Sequence, residues 1–299
     1  MTSNPSKVSA GLSFAVLCAV SLLLWFGPLL NTLSLALGDE KYTHVLLILP
    51  LTAVLIFLQW NWHTVEFRPS IWSGGLLTFA LLLAGLARWE KLAEVPDIQL
   101  SVSMLGLVSW WVGSFALCFG VRTSRTLLLP LAFLLWMVPI PAIVLNPLIG
   151  GLRQGSVVAA ELLFSLARTP VSRQGLVLTI PGVELEVAPE CSSIRSSLVL
   201  IVTAVALAQI VLRSSWRKLL VVAVAIPLSV AKNGLRIFTI GWLGTRVDEG
   251  FLDGRLHHHG GVVFFAIALA GIFSLLWLLR RGDSSGKAKK GPRDEIVLG

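Results

Sequence analysis

The stretch Lys218-Leu-Leu-Val-Val-Ala-Val-Ala-Ile-Pro-Leu-Ser-Val-Ala-Lys-Asn-Gly-Leu-Arg-Ile-Phe-Thr-Ile-Gly-Trp-Leu243 decides how the rest of the chain is read. As a helix it is long enough to cross a bilayer core, which takes about 20 apolar residues. Yet it carries Lys232, Asn233 and Arg236 in its interior. A charged side chain inside a span costs about 2.5–3.5 kcal/mol on insertion scales and is retained for a partner or a function. Arg236 stands about 9 Å inward of Trp242 at 1.5 Å per residue, and Lys232 lies one turn deeper. Snorkelling or a structural ion pair is the competing explanation of the two cations.

The surrounding sequence has the same character. Of 299 residues 55% are hydrophobic and 13% charged, and the mean hydropathy is +0.82. A soluble domain carries about twice that charged fraction, so the chain reads as an all-α polytopic membrane protein. Apolar runs at about 11–31, 44–60, 71–88, 100–120, 126–148, 191–212, 218–243 and 259–280 predict about eight transmembrane helices. The first run follows only Lys7, is rather long, and lacks a convincing small-residue cleavage site, unlike a removable signal peptide.

The connecting segments alternate in charge. Arg68, the Arg122/Arg125 turn, the Arg213–Lys218 turn and the C-terminal tail fall on one side. Asp39 and Glu40, then Glu90, Glu94 and Asp97, then a long segment from about 149 to 190, and finally Asp248, Glu249 and Asp253 fall on the other. The positive-inside rule makes the first set cytoplasmic and puts both termini inside. Trp60, Trp62, Trp72, Trp89, Trp216, Trp242 and Trp277 stand near span ends, as interfacial anchors do. The net charge of +8 follows this topology; no basic stripe with exposed aromatics points to nucleic acid.

Two segments depart from plain spans. The fifth run contains Pro130, Pro139, Pro141 and Pro147, which predicts a kink or break in its second half. In the long outer segment, Leu152, Val158, Leu162 and Leu166 recur at helical spacing, predicting an interfacial helix over 152–168. After it, Gln174-Gly-Leu-Val-Leu-Thr-Ile-Pro-Gly-Val-Glu-Leu-Glu-Val187 alternates about Pro181-Gly182, predicting a short extracytoplasmic β-hairpin.

The hairpin leads into Ala188-Pro-Glu-Cys-Ser-Ser-Ile-Arg-Ser-Ser197. Proline and small polar residues before an apolar run mark a helix start, with Cys191 in its first turn. A helix N-terminus and a nearby cation lower a thiol pKa, and Arg195 is on the same face four residues on. The alternative makes Cys191 a small boundary residue and Arg195 an interfacial anchor. Cys18 and Cys118 fall within apolar runs as buried small hydrophobes.

Leu256-His-His-His-Gly-Gly261 stands at the outer start of the last run. Consecutive helical residues point about 100° apart, so the three histidines cannot share one metal ion in regular geometry. No metal and no cofactor is expected. A neutral imidazole taking a thiol proton is the more economical reading. Cys191, Arg236 and His257 come from three consecutive predicted helices, and the topology puts all three near the outer leaflet.

Pro189-Glu-Cys-Ser-Ser-Ile-Arg-Ser, then Asn233-Gly-Leu-Arg-Ile, then Leu256-His-x-x-Gly-Gly resembles the exosortase/archaeosortase family in order and content. The Gly38-Asp-Glu-Lys-Tyr-Thr-His-Val stretch is similar to that family's polar approach to its second helix, so the resemblance covers roughly 38–275. It implies a membrane-embedded cysteine peptidase or transpeptidase. Its substrates would be membrane-anchored proteins ending in a Pro-Glu-Pro-like motif, a transmembrane helix and a basic tail. Carried onto this chain, Cys191 is the nucleophile, Arg236 the arginine and His257 the histidine, with His258 the runner-up. Arg195, Asn233 and His258 are the expected substrate-binding residues. Ser193 stands where many relatives have Gly, a small-for-small change.

Residues 1–281 are expected to form one exosortase-like transmembrane domain, and the Gly/Ser/Lys-rich residues 282–299 a disordered cytoplasmic tail; residence in a prokaryotic inner membrane is what the resemblance implies. A membrane transporter or an exopolysaccharide assembly factor explains the polar span residues and the proline-broken helix as well. A polyprenyl-handling transferase would use Arg236 and the histidines while leaving Cys191 silent. Neither explains why a thiol, an arginine and a histidine share one side.

Overall fold

The computed structural model describes residues 5–60, 70–186, 194–248, 250 and 261–288. In chain order it has α1 (Pro5–Gly38), α2 (Val45–Gln59), α3 (Ile71–Leu86), α4 (Glu90–Ala93), α5 (Pro96–Phe119), α6 (Val121–Thr126), α7 (Leu128–Phe133) and α8 (Ala142–Leu166). There follow β1 (Ser172–Gln174), β2 (Val177–Ile180), β3 (Val183–Glu186), α9 (Ile194–Val211), α10 (Ser215–Arg246) and α11 (Gly261–Ala288). The chain divides into two compact units, 1–146 and 147–299.

Among the described residues each predicted span falls largely on helix, the fifth with a non-helical break at 138–141, but the count of about eight is not confirmed. Ser9–Gly38, Pro96–Phe119, Ser215–Arg246 and Gly261–Arg281 are long and apolar enough to cross a membrane. The broken pair Leu128–Met137 and Ala142–Leu166 makes a fifth if taken as one. Val45–Gln59, Ile71–Leu86 and Ser196–Val211 are apolar but shorter. A hydropathy run continues through flanking residues that the helix itself does not include. At 1.5 Å per residue a 16-residue helix rises about 24 Å, short of a ~30 Å core.

The first unit is organised on α5, whose buried face is rich in small residues: Ser101, Ser103, Gly106, Ser109, Gly113 and Ser114. A Cβ on Gly113 would stand 3.1 Å from Leu76, and one on Gly106 3.3 Å from the Ala80 carbonyl, so α3 approaches closely there. On α1, Trp25 leaves helical geometry, three residues before Pro28. Pro28 has no N–H for the Leu24 carbonyl, and Arg88 donates to that oxygen at 3.2 Å and to Ala84 at 2.8 Å. The Trp110 and Trp111 indoles tie α5 to α1 through the Leu17 carbonyl and the Ser21 hydroxyl, each at 2.9 Å.

The predicted break falls at Pro139–Pro141, where the residue before each proline is disfavoured in helix. Polar side chains take up the backbone it frees. Asp97 accepts the Ala142 N–H at 2.9 Å, Ser101 donates to the Pro139 carbonyl at 2.6 Å, and Tyr42 to the Ile140 carbonyl at 3.1 Å. Burial, and then the carboxylates of Asp39 and Asp97, push the Tyr42 phenol up, which keeps it a donor.

Beyond the break the structure corrects one expectation. No separate interfacial helix begins near 152; α8 is continuous from Ala142 to Leu166. Pro147 costs one backbone bond near the helix start, and Gly150-Gly151 only weakens a helix without ending it.

In the second unit β2 and β3 pair antiparallel around Pro181-Gly182, as predicted. Gly182 has φ 89°, the positive value that a Pro-Gly turn requires at its second central position. The sheet has a third strand, β1, joined to β2 across Gly175-Leu176. Leu178 and Ile180 bury one face of the sheet with Phe164 of α8 and Ile237 of α10. A second cluster joins α9, α10 and α11 through Leu200, Ala204, Ala208, Ala225, Ile272 and Leu276.

Candidate active site

Helix α10 is the scaffold of the predicted site, and its neighbours in the second unit approach it through glycines. A Cβ on Gly234 would come 2.5 Å from the Ala159 Cβ and 3.1 Å from the backbone of Ser156 and Ala160. Glycine there allows α8 to cross almost backbone to backbone. Gly155 of α8 gives matching room to Val230, and Gly241 leaves space that Leu185 of β3 and Phe164 fill. Phe164 also meets Phe238 edge-on at 5.0 Å. An Arg173–Glu161 ion pair of 2.9 Å holds β1 to α8.

Another face of α10 carries polar groups. Ser229, Lys232 and Arg236 recur at three- and four-residue spacing with Asn233 beside them, hence along one side of the helix. Lys232 is 5% and Asn233 1% exposed, and Arg236 is half-buried. The Lys232 Nζ donates to Ser196 Oγ in the first turn of α9. Arg236 stands one turn further along the same face. That face therefore carries the bond to the α9 N-terminal turn, and the two cations on it are spaced one turn apart.

Cations spaced one turn apart repel and, withdrawn from water, create a strongly positive locale. Such a locale suits a developing negative charge, and a guanidinium can present two parallel donors to it. Arg236 stands about 7–8 Å along the α10 axis from where the sheet packs on Gly241.

The predicted residues are placed unevenly. Asn233 and Arg236 lie together on α10, and Arg195 lies in the first turn of α9. Cys191, His257 and His258 lie outside the described residues. Among the described residues no three His, Cys, Asp or Glu side chains converge as a metal site would require. Ser196 and Gly234 join the site without being among the expected residues. A buried lysine in a span needs a polar partner at its own depth, and the serines after Cys191 supply one. A glycine within the charged stretch is itself the mark of a close helix crossing.

Comparison with known proteins gives one positive finding. A family model described as transmembrane exosortase (Exosortase_EpsH) matches residues 32–274. No curated protein and no solved structure matches the chain.

Proposed function

The chain belongs to the transmembrane exosortase family, and on that premise we propose that it is a cysteine peptidase/transpeptidase that cleaves C-terminal sorting signals through an acyl-thioester on Cys191. Family membership supports a membrane transpeptidase role in general and does not favour a transporter or polysaccharide assembly factor. The observation that carries the finer reading is the ordered set of Cys191, Arg236 and His257 within the matched residues. The burial of cationic side chains on the Arg236 face of α10 supports it.

The chemistry follows from those groups. The Cys191 thiolate attacks the scissile carbonyl, and His257 accepts the thiol proton, with His258 the alternative. Arg236 stabilises the oxyanion or helps protonate the leaving amine. The tetrahedral intermediate collapses to a thioester as the leaving amine takes a proton. Water or an acceptor amine then displaces the thiol. Arg195, Asn233 and His258 contact the substrate. The substrate's own helix lies in the bilayer, so recognition is a two-dimensional search. The β2–β3 hairpin grips the Pro-Glu-Pro-like motif. In this reading the enzyme is a multi-pass protein of a prokaryotic inner membrane with both termini cytoplasmic and the site outside. Residues 1–281 form its exosortase-like domain and 282–299 its tail.

Hydroxylamine tests the thioester directly. Membranes containing the chain and a tagged reporter ending in such a signal should release reporter bearing a C-terminal hydroxamate, read by mass. Clipped reporter that carries only a carboxylate at every hydroxylamine concentration would oppose a thioester. Unclipped reporter in both conditions would oppose the assigned substrate class.

A further inference from the structure

The first unit contains a groove of about 730 Å³ that the proposed reaction does not use. Its walls are α1, α2, α5 and α7, and its lining is almost wholly apolar, with Ala15, Ala19 and Ala53 keeping it open. At one end stand Phe14, Trp60 and Phe119; at the other stand Leu22, Leu49 and Trp111. From Leu49 to Trp60 the α2 axis rises about 16 Å, and from Trp111 to Phe119 the α5 axis rises about 12 Å. One hydrocarbon leaflet is about 15 Å deep, half of a ~30 Å core. The groove is therefore one leaflet long.

Its width selects the occupant. A volume of 730 Å³ over roughly 14 Å of length gives a cross-section of about 50 Å². A helix with its side chains is 10–12 Å across and needs about 80–110 Å². A flexible acyl chain can follow a groove of this section along its length.

The mouth supplies the charge. Phe119 ends α5, and α6 follows after Gly120 with Arg122 and Arg125 both exposed. Leu127, just beyond α6, is buried in one cluster with Phe115, Phe119 and Leu131, with Phe14 and Trp60 packed against it. The short helix that carries both arginines therefore follows directly on the aromatic end of the groove. An arginine fork pairs well with a phosphate, and each basic residue near an anionic bilayer surface adds about 1 kcal/mol of attraction.

We propose that this groove is a binding site for one anionic phospholipid, an acyl chain lying between α1, α2, α5 and α7 and its phosphate on Arg122 and Arg125. The lipid fills a space that the apolar side chains leave open and joins α2 and α7 to the α1–α5 pair. The site is independent of the Cys191 chemistry.

The test is lipid retention by the purified full-length chain in detergent. Phosphatidylglycerol or phosphatidylcholine is added at equal mole fraction, and bound lipid is measured by native mass spectrometry. The expected result is one phosphatidylglycerol per chain, retained at least five-fold over phosphatidylcholine. Replacing both arginines (Arg122→Gln with Arg125→Gln) should bring phosphatidylglycerol down to the phosphatidylcholine level. Filling the groove by Ala53→Phe, or by Ala19→Leu should the first variant misfold, should lower retention of both lipids. Equal retention of the two lipids by the unaltered chain would overturn the proposal. So would retention of phosphatidylglycerol unchanged in the double arginine variant or in a folded groove-filled variant.

Discussion

The two units use polar side chains inside apolar helices for different ends. In the first, Asp97, Ser101 and Tyr42 all bond to backbone at the Pro139–Pro141 break, and Arg88 serves the carbonyl that Pro28 leaves open. These groups repair a chain that proline has interrupted, which lipid cannot do. In the second, Lys232 and Arg236 sit on a continuous 32-residue helix, and the Lys232 bond runs to the Ser196 side chain. A helix needs no such cations to satisfy its backbone. The polar groups named in the first unit serve backbone that proline has interrupted, whereas Lys232 and Arg236 stand on a helix with no such gap beside them.

Substitutions can break this contrast. The largest effect is expected at Arg236. Arg236→Ala should lower reporter processing by about 10²–10³-fold, the usual cost of losing one oxyanion donor. Its thermal unfolding in detergent should stay near that of the unaltered chain. A large loss of stability with normal processing per folded molecule would make Arg236 structural instead.

Next comes the helix crossing. Gly234→Leu places a side chain where even a Cβ would meet Ala159 at 2.5 Å, and overpacking of this kind costs about 1–3 kcal/mol. The unfolding midpoint should fall and processing with it. An unchanged midpoint would mean that α8 does not pack closely on α10.

Asp97→Ala should cost about 1–3 kcal/mol through the orphaned Ala142 N–H. It should lower the unfolding midpoint while leaving processing per folded molecule within about two-fold. Tyr42→Phe removes only one hydrogen bond and should cost about 0.5–1.5 kcal/mol, read in the same unfolding measurement. A processing defect in either variant without a stability change would erase the distinction between the units.

Much of this organisation is legible in the residues. Apolar runs locate the long helices other than the second half of α8, Pro139 and Pro141 locate the break, and Pro181-Gly182 locates the turn between β2 and β3. Strand β1 escapes because Ser172–Gln174 is three exposed residues long and shows no alternation to detect. The continuity of α8 escapes because Gly150-Gly151 looks like punctuation, yet inside a packed helix the penalty is only about 1 kcal/mol per glycine. The number of spans escapes because hydropathy reports an apolar run and not where the helix within it stops.

The site divides in the same way. A lysine and an arginine inside an apolar run announce themselves by their insertion cost, and both are found on one face of α10. The Ser196 partner of Lys232 depends on how α9 meets α10, which no periodicity encodes. Cys191 and His257 rest on motif order and on the family match.

The most direct measurement is the intact mass of a tagged reporter bearing a Pro-Glu-Pro-type signal, co-expressed with the unaltered chain or with Cys191→Ala. A signal-clipped reporter is expected with the unaltered chain and full-length reporter with the variant. Clipping at the same bond by both chains would contradict it, because a thiol peptidase cannot form its acyl-enzyme without that sulfur.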